Sequence, residues 1–177
     1  AAFGSLDYFG GDKPDALTCS RCPDRETCPE AQPLDHPRQQ CVFRREVDVE
    51  DNNMVILDLE NGIKAAYVQC HFAPEYLRNY TLIGTKGRLE MNVEKNELWL
   101  LRRESGRTWI DGPQRVDIPL GDAGGTHGGA DPIIAQDFLD MLRNGKQPES
   151  PPLAGRMSVA TACAATLSLR EGGMREV

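Results

Sequence analysis

A glycine-rich stretch late in the chain divides a β-rich part from a helical part. It reads Gly125-Thr126-His127-Gly128-Gly129-Ala130-Asp131-Pro132. Asp131 followed by Pro132 is typical of a helix start, because an aspartate side chain caps free amides and a proline loses no hydrogen bond in the first turn. We therefore expect strands before this loop and helices after it, with Asp131 as the helix cap. The alternative is a plain connecting loop whose histidine contacts a neighbour.

Short apolar segments separated by turn residues fill most of the chain before the loop. They predict strands at residues 1–9, 42–50, 54–59, 63–72, 80–84, 88–93 and 97–103, with one weak strand within 109–120. Glu60-Asn61-Gly62 predicts a tight hairpin. Because the connections are too short for the crossovers that parallel strands require, we expect an antiparallel meander.

Both faces of the predicted strands carry apolar side chains. Val55 and Leu57 point to one side of their strand, while Met54 and Ile56 point to the other. An antiparallel sheet in a monomer usually has one solvated face. We therefore expect helices to cover one face and an identical subunit to cover part of the other, the alternative being an outer face that is only rich in apolar residues.

Two helices are predicted after the loop. Residues 131–144 carry Ile134, Phe138 and Leu142 on one stripe, and Gly145 marks their end. A second helix begins at Ser150-Pro151-Pro152 and runs to Gly172. The predicted fold class is α+β: one domain over residues 1–177, with an open, predominantly antiparallel β-sheet and helices packed on one face.

Four of the six cysteines lie in or beside a proline-rich excursion at residues 12–41. Cys19, Cys22 and Cys28 have the spacing of a zinc knuckle followed by a third thiolate, and Cys41 or His36 is available as the fourth ligand of a tetrahedral site. The segment is too long for an unsupported loop, so something must hold it in place. A structural zinc site is one prediction; reduced thiols or a single disulfide are the alternatives.

Charge and hydropathy exclude several classes of partner. The net charge of -7 and the pI near 5.0 argue against a surface that neutralises phosphates, so we expect no nucleic-acid partner. No apolar run approaches the ~20 residues of a membrane span, and no signal peptide is recognisable. We expect a cytoplasmic protein, and since the chain begins without methionine inside a predicted strand, we expect a truncated piece of a longer one.

The chain resembles the C-terminal domain of the Gfo/Idh/MocA oxidoreductases, the relatives of glucose-fructose oxidoreductase and inositol dehydrogenase. The residues that carry the resemblance are Tyr80-Thr81-Leu82-Ile83-Gly84-Thr85-Lys86-Gly87-Arg88-Leu89-Glu90, the His127-Gly128-Gly129-Ala130-Asp131 loop, the helix with Phe138-Leu139 and the following Ala- and Ser-rich helix. The opening Phe3-Gly4-Ser5-Leu6-Asp7-Tyr8-Phe9 and the cysteine segment are similar to a bacterial subgroup. The resemblance covers nearly the whole chain.

The resemblance implies that a second domain supplies part of the activity. In such enzymes an N-terminal Rossmann domain binds NAD or NADP and supplies a catalytic lysine from a Lys-Pro motif, while the C-terminal domain closes the substrate cleft and pairs subunits. This sequence has no GxGxxG after a strand. Lys13-Pro14 follows Asp12 inside the cysteine excursion, so it does not receive the catalytic role. We therefore expect no cofactor binding and no activity from this chain alone.

The resemblance also suggests which residues contact the substrate. His127, Gly128, Gly129 and Asp131 match a loop near the family's cleft, where His127 would hydrogen-bond a hydroxyl group while Asp131 caps the helix. The leading hypothesis is the substrate-binding and dimerisation domain of an NAD(P)-dependent oxidoreductase acting on a sugar, polyol or cyclitol. The alternative is a non-enzymatic, zinc-stapled binding or scaffold module.

Overall fold

The computed structural model describes residues 1–104, 112, 114–117 and 126–177. The chain divides into two compact units, Ala1–Ala73 with Pro152–Val177, and Pro74–Pro151. This division does not test the prediction of a single domain over residues 1–177, which stays a prediction. Gly124, Gly125 and most of the weak strand expected within 109–120 lie outside the described residues.

The described residues form an α+β structure of antiparallel strands and two long helices, which confirms the predicted fold class. The strands are β1 (Ala2–Ser5), β2 (Asn52–Asp58), β3 (Lys64–Cys70), β4 (Asn79–Gly84), β5 (Gly87–Asn92), β6 (Glu97–Arg102) and β7 (Gln114–Val116). The helices are α1 (Ala130–Asn144) and α2 (Pro152–Glu171). Among the residues that the structure describes, no helix is both long enough and apolar enough to cross a membrane.

The strands pair into two open sheets. One has the order β1-β2-β3 and belongs to the first unit; the other has the order β4-β5-β6-β7 and belongs to the second. Every pairing in both sheets is antiparallel, in agreement with the predicted strand arrangement. The predicted hairpin after β2 is present, with Asn61 and Gly62 both at positive φ.

In the first unit, α2 packs against β1. The backbone N–H of Ala2 donates to the Oγ of Ser168 at 2.9 Å, and Ser168 donates in turn to the carbonyl oxygen of Gly173. Ala2 and Ser168 are both buried. The opposite face of this sheet carries an exposed apolar row, Phe3, Met54 and Val68, which the register places directly side by side. Their exposed fractions are 66%, 53% and 67%.

A buried carboxylate at Asp51 holds the segment that follows β1. Its oxygens accept the backbone N–H groups of Asp7, Tyr8 and Phe9 at 2.8–3.0 Å, and Asn52 donates from its side chain at 3.2 Å. Burial raises the pKa of Asp51, but these hydrogen bonds to the charged form outweigh it and lower the pKa to about 2. The result is an anion fixed beside a cluster of aromatic rings formed by Tyr8, Phe9, Phe43 and Phe72.

The cysteine excursion is a series of turns held by scattered backbone bonds. It contains a 3₁₀ turn at Cys19–Arg21, and single bridges join Lys13 to Arg44 and Thr18 to Gln40. The strand predicted at residues 42–50 is wrong. The reason is that its backbone groups bond to the excursion and to the loop after β1, as Val42 O does with the N–H of Gly10, instead of to a neighbouring strand.

In the second unit, the register aligns three leucines across the sheet. Leu82 pairs with Leu89, and Leu89 pairs with Leu100. The adjacent row on the same face is Gly84, Gly87 and Arg102. A Cβ built on Gly87 would overlap the carbonyl oxygen of Leu101, so this position requires glycine. The sheet therefore presents a row of leucines next to a row in which the two glycines leave a gap beside the guanidinium group of Arg102.

Candidate functional site

The predicted substrate loop adopts a left-handed turn just before α1. His127, Gly128 and Gly129 have φ values of 54°, 62° and 81°. Glycine accepts such angles without steric cost, whereas a histidine there is uncommon because its Cβ crowds the backbone. The two glycines thus let the chain reverse into the helix, and the turn projects the His127 side chain, which is 78% exposed, toward solvent.

His127 and Asp131 form a hydrogen-bonded pair across this turn. Nδ1 of His127 lies 3.0 Å from Oδ1 and 3.1 Å from Oδ2 of Asp131. A carboxylate beside Nδ1 favours the tautomer that carries its proton there. In the neutral ring, Nε2 is then left as an acceptor for a hydroxyl or another donor. The pair is therefore suited to orienting a hydroxyl-bearing ligand.

The structure corrects the predicted role of Asp131 as the helix cap. Gly129 occupies the N-cap position of α1 without a side-chain cap, and Asp131 lies within the first turn, where its carboxylate contacts His127. A negative charge at this end of a helix is still favourable, because the unpaired N–H groups there carry partial positive charge. Asp131 thus combines two effects: it stabilises the helix start and orients the imidazole.

Of the four residues predicted to contact substrate, the structure brings together the side chains of His127 and Asp131. Gly128 and Gly129 contribute the backbone turn between them. Whether this loop touches a substrate stays a prediction.

The four predicted metal ligands line one small cavity. Cys19, Cys22, Cys28 and Cys41 surround a volume of about 20 Å³, with apolar atoms of Val42 and Phe43 among the lining. The side chains of positions i and i+3 are eclipsed in a 3₁₀ turn, which is why Cys19 and Cys22 face the same space. Cys41 is buried and all four are free thiols.

The predicted zinc site is nevertheless not supported. Over residues 1–104 and the other described positions, no group of three or more His, Cys, Asp and Glu side chains is arranged to hold a metal ion. His36, the alternative fourth ligand, accepts the backbone N–H of Arg38 through Nδ1 at 3.1 Å. The cavity is lined by apolar atoms, an environment in which reduced cysteines behave as small hydrophobic side chains. Reduced thiols, one of the alternatives left open by the sequence, match this arrangement.

The Gly84–Gly87 turn differs from the glycine-rich turn of a dinucleotide site. Such a site needs a glycine-rich turn between a strand and a helix, whose N-terminus receives the pyrophosphate. The Gly84–Gly87 turn instead joins two antiparallel strands.

A second concave surface was missed by the sequence reasoning, and we call it the hairpin groove. Its cations come from two separate places in the chain, residues 86–88 and 102–103, so no basic run in the sequence signals it. The lining comprises Leu82, Gly84, Thr85, Lys86, Gly87, Arg88, Leu89, Leu100, Arg102, Arg103 and Glu104. Alternation along paired strands is the signal that groups Gly87, Leu89, Leu100 and Arg102 on one face.

Comparison with known proteins identifies the family. The model of the oxidoreductase family's C-terminal alpha/beta domain, GFO_IDH_MocA_C, matches residues 7–177. A Bacillus subtilis protein named "Putative oxidoreductase YteT" is 26% identical over 182 residues, covering 80% of this chain and 42% of that protein. The chain thus spans less than half the length of this relative. No solved structure matches the chain. With a family model that covers almost its entire length, the chain belongs to the Gfo/Idh/MocA oxidoreductase family, of which it is a C-terminal α/β domain.

Proposed function

We propose that the parent protein is an NAD- or NADP-dependent oxidoreductase of a sugar, polyol or cyclitol, and that this chain is its substrate-binding part. Membership of the oxidoreductase family and the relative's name support the reaction class. The observation that carries the assignment to this chain is the bond between Nδ1 of His127 and the carboxylate of Asp131. It leaves Nε2 of His127 as an exposed hydrogen-bond acceptor, as recognition of a hydroxyl group requires.

The proposed reaction separates binding from chemistry. The nicotinamide, held by a domain outside this chain, supplies hydride transfer to and from the secondary alcohol carbon. Nε2 of His127 accepts a hydrogen bond from a substrate hydroxyl group and so fixes the orientation of the substrate. No residue of this chain is assigned the catalytic proton transfer, and the chain by itself is expected to be inactive.

Kinetics of the full-length enzyme test this role. With the best substrate from a panel of sugars, polyols and cyclitols, H127Q should raise KM roughly tenfold, the effect expected when a hydrogen bond of ~1.4 kcal/mol is lost, with a smaller change in kcat. D131N should give a smaller effect in the same direction, because it disturbs only the orientation of the imidazole. H36Q is the matched control, since His36 lies in the cysteine excursion and should leave both constants unchanged.

The role of His127 would be refuted by equal KM values for H127Q and H36Q. Absence of NAD(P)-dependent turnover across the panel in the full-length protein would instead refute the substrate class. The two failures are therefore distinguishable.

We further propose that a second copy of the chain covers the exposed row of Phe3, Met54 and Val68. A row of large apolar side chains that are all more than half exposed is costly in water and is typical of an interaction surface. Light scattering at micromolar concentration should detect a dimer, and M54K should shift it to monomer because a charge enters the apolar contact. L34K is the control, since Leu34 is equally exposed but lies off the sheet.

A strictly monomeric wild-type profile would contradict self-association and favour coverage by the remainder of the parent protein. We also propose a cytoplasmic location and no nucleic-acid partner, in keeping with the acidic pI near 5.0. Cell fractionation and a nucleic-acid retention assay test these two points.

A further inference from the structure

The hairpin groove is basic although the chain as a whole is acidic. Lys86, Arg88, Arg102 and Arg103 line it, with Glu104 as the acidic side chain among the lining residues. The chain carries a net charge of -7, so this concentration of cations runs against its overall composition. Like charges held close together repel one another, and a bound anion removes that cost.

Three of these cations have no carboxylate partner in the described part of the chain. Arg88 is paired, with its Nε 3.1 Å from Oε1 of Glu90. Within residues 1–104 and the other described ranges, Lys86, Arg102 and Arg103 make no ion pair. The backbone N–H of Arg103 donates to the carbonyl oxygen of Lys86 at 2.9 Å, which holds the hairpin turn against the end of β6. Three cations, from the hairpin turn and from the end of β6, therefore line one surface.

The shape of the groove follows from the strand register. Gly84 and Gly87 lie in the same row as Arg102, so the two positions beside this guanidinium group have no side chain. The next row is formed by Leu82, Leu89 and Leu100 and supplies an apolar floor. The open space measures about 790 Å³, within the range of ligand pockets.

We propose that the hairpin groove binds a small organic anion, with a carboxylate or phosphate group on a sugar-sized body. Arg102 offers a planar fork of N–H donors that matches the geometry of either group, and Lys86 and Arg103 add positive charge around it. The leucine row contacts the C–H face of the attached body. The groove shares no residue with the His127 loop, so this proposal stands independently of the proposed oxidoreductase role.

Isothermal titration of the 177-residue chain tests the proposal directly. D-glucuronate and D-glucose 6-phosphate are the anionic probes, and D-glucose is the neutral one. We expect saturable binding of at least one anionic probe, and the tighter of the two identifies the preferred group. D-glucose should bind at least tenfold more weakly. Raising the salt from about 0.01 M to about 0.1 M should weaken anion binding, because the Debye length falls from ~30 to ~10 Å.

Variants separate the groove from general charge effects. R102Q should weaken binding of the anionic probe at least tenfold. R115Q removes the same charge from the opposite face of the same sheet, where Arg115 pairs with Trp99, and should leave the dissociation constant unchanged. If R102Q fails to fold, as circular dichroism would reveal, K86Q at the exposed turn takes its place. Equal binding of glucuronate and glucose, no saturable heat with either anion, or equal constants for the groove variant and R115Q would overturn the proposal.

Discussion

Removal of a single hydroxyl group at Ser168 should destabilise the first unit. This hydroxyl accepts the N–H of Ala2 at 2.9 Å and donates to the carbonyl oxygen of Gly173. Ala2 belongs to β1, whose other hydrogen-bonding edge is occupied by β2, as the bond from the N–H of Ile56 to Ala1 O shows. The Ala2 N–H therefore points toward α2, where Ser168 is its partner.

The expected cost of S168A is about 2 kcal/mol in the free energy of unfolding. An ordinary hydrogen bond contributes ~0.5–1.5 kcal/mol, but a buried donor left without a partner costs ~1–3 kcal/mol. Both Ala2 and Ser168 are buried, so water has poor access to the N–H in the variant. The cost of a buried donor without a partner therefore applies here. The higher helix propensity of alanine, worth roughly 0.5 kcal/mol, offsets only part of this cost.

Urea unfolding followed by circular dichroism measures this difference. S158A is the matched control, because Ser158 lies on the same helix and is exposed. It should leave the free energy of unfolding unchanged or raise it by a few tenths of a kcal/mol. If S168A and S158A change the free energy of unfolding by the same amount, the contact between β1 and α2 does not stabilise the unit.

Three further predictions concern other parts of the chain. G87A should lower the free energy of unfolding by about 1–3 kcal/mol, because its Cβ overlaps a backbone oxygen. G155A, in the open interior of α2, should raise it by ~0.5–1 kcal/mol. Chemical denaturation measures both changes, and equal effects would contradict the close approach at Gly87. The folded-state pKa of Asp51 is lowered to about 2, so its stabilising contribution is full above its ordinary pKa near 3.8 and is lost as the pH falls toward 2. D51N should thus flatten the loss of thermal stability over that interval, and an unchanged pH profile would count against the carboxylate. Ellman's reagent should modify Cys70 before Cys41, since Cys70 is exposed and Cys41 is buried; the reverse order would contradict the thiol cavity.

The sequence predicted the regular elements well because their local signals agree with their tertiary environment. Alternation in β2 assigned Met54 and Ile56 to one face, and both are more than half exposed, whereas Val55 and Leu57 on the other face are partly covered. The helix that ends at Gly145 was equally clear, since that glycine takes the left-handed C-cap conformation. The strand predicted at residues 42–50 was wrong, because strand propensity does not reveal whether a partner strand is present.

The candidate site was only partly predictable. The loop around His127 was located, but its sequence could not decide whether Asp131 caps the helix or contacts the imidazole, since both targets lie within one turn. The hairpin groove was invisible for a different reason: Lys86 and Arg102 are 16 positions apart in sequence and meet only through the register of β5 and β6. Asp51 likewise bonds to backbone groups some 40 residues earlier in the chain.

The closure of β1 by α2 also dictates an order of events during synthesis on the ribosome. Ala2 and Ser168 are separated by 166 positions, so the strand leaves the ribosome long before its covering helix exists. At ~5–20 residues per second, the interval is roughly 10 to 30 s. From the synthesis of β3 until that of α2, the nascent β1-β2-β3 sheet exposes the N–H edge of β1. Slow synthesis of residues 74–151 would prolong this exposure, and apolar surface exposed in this way favours aggregation.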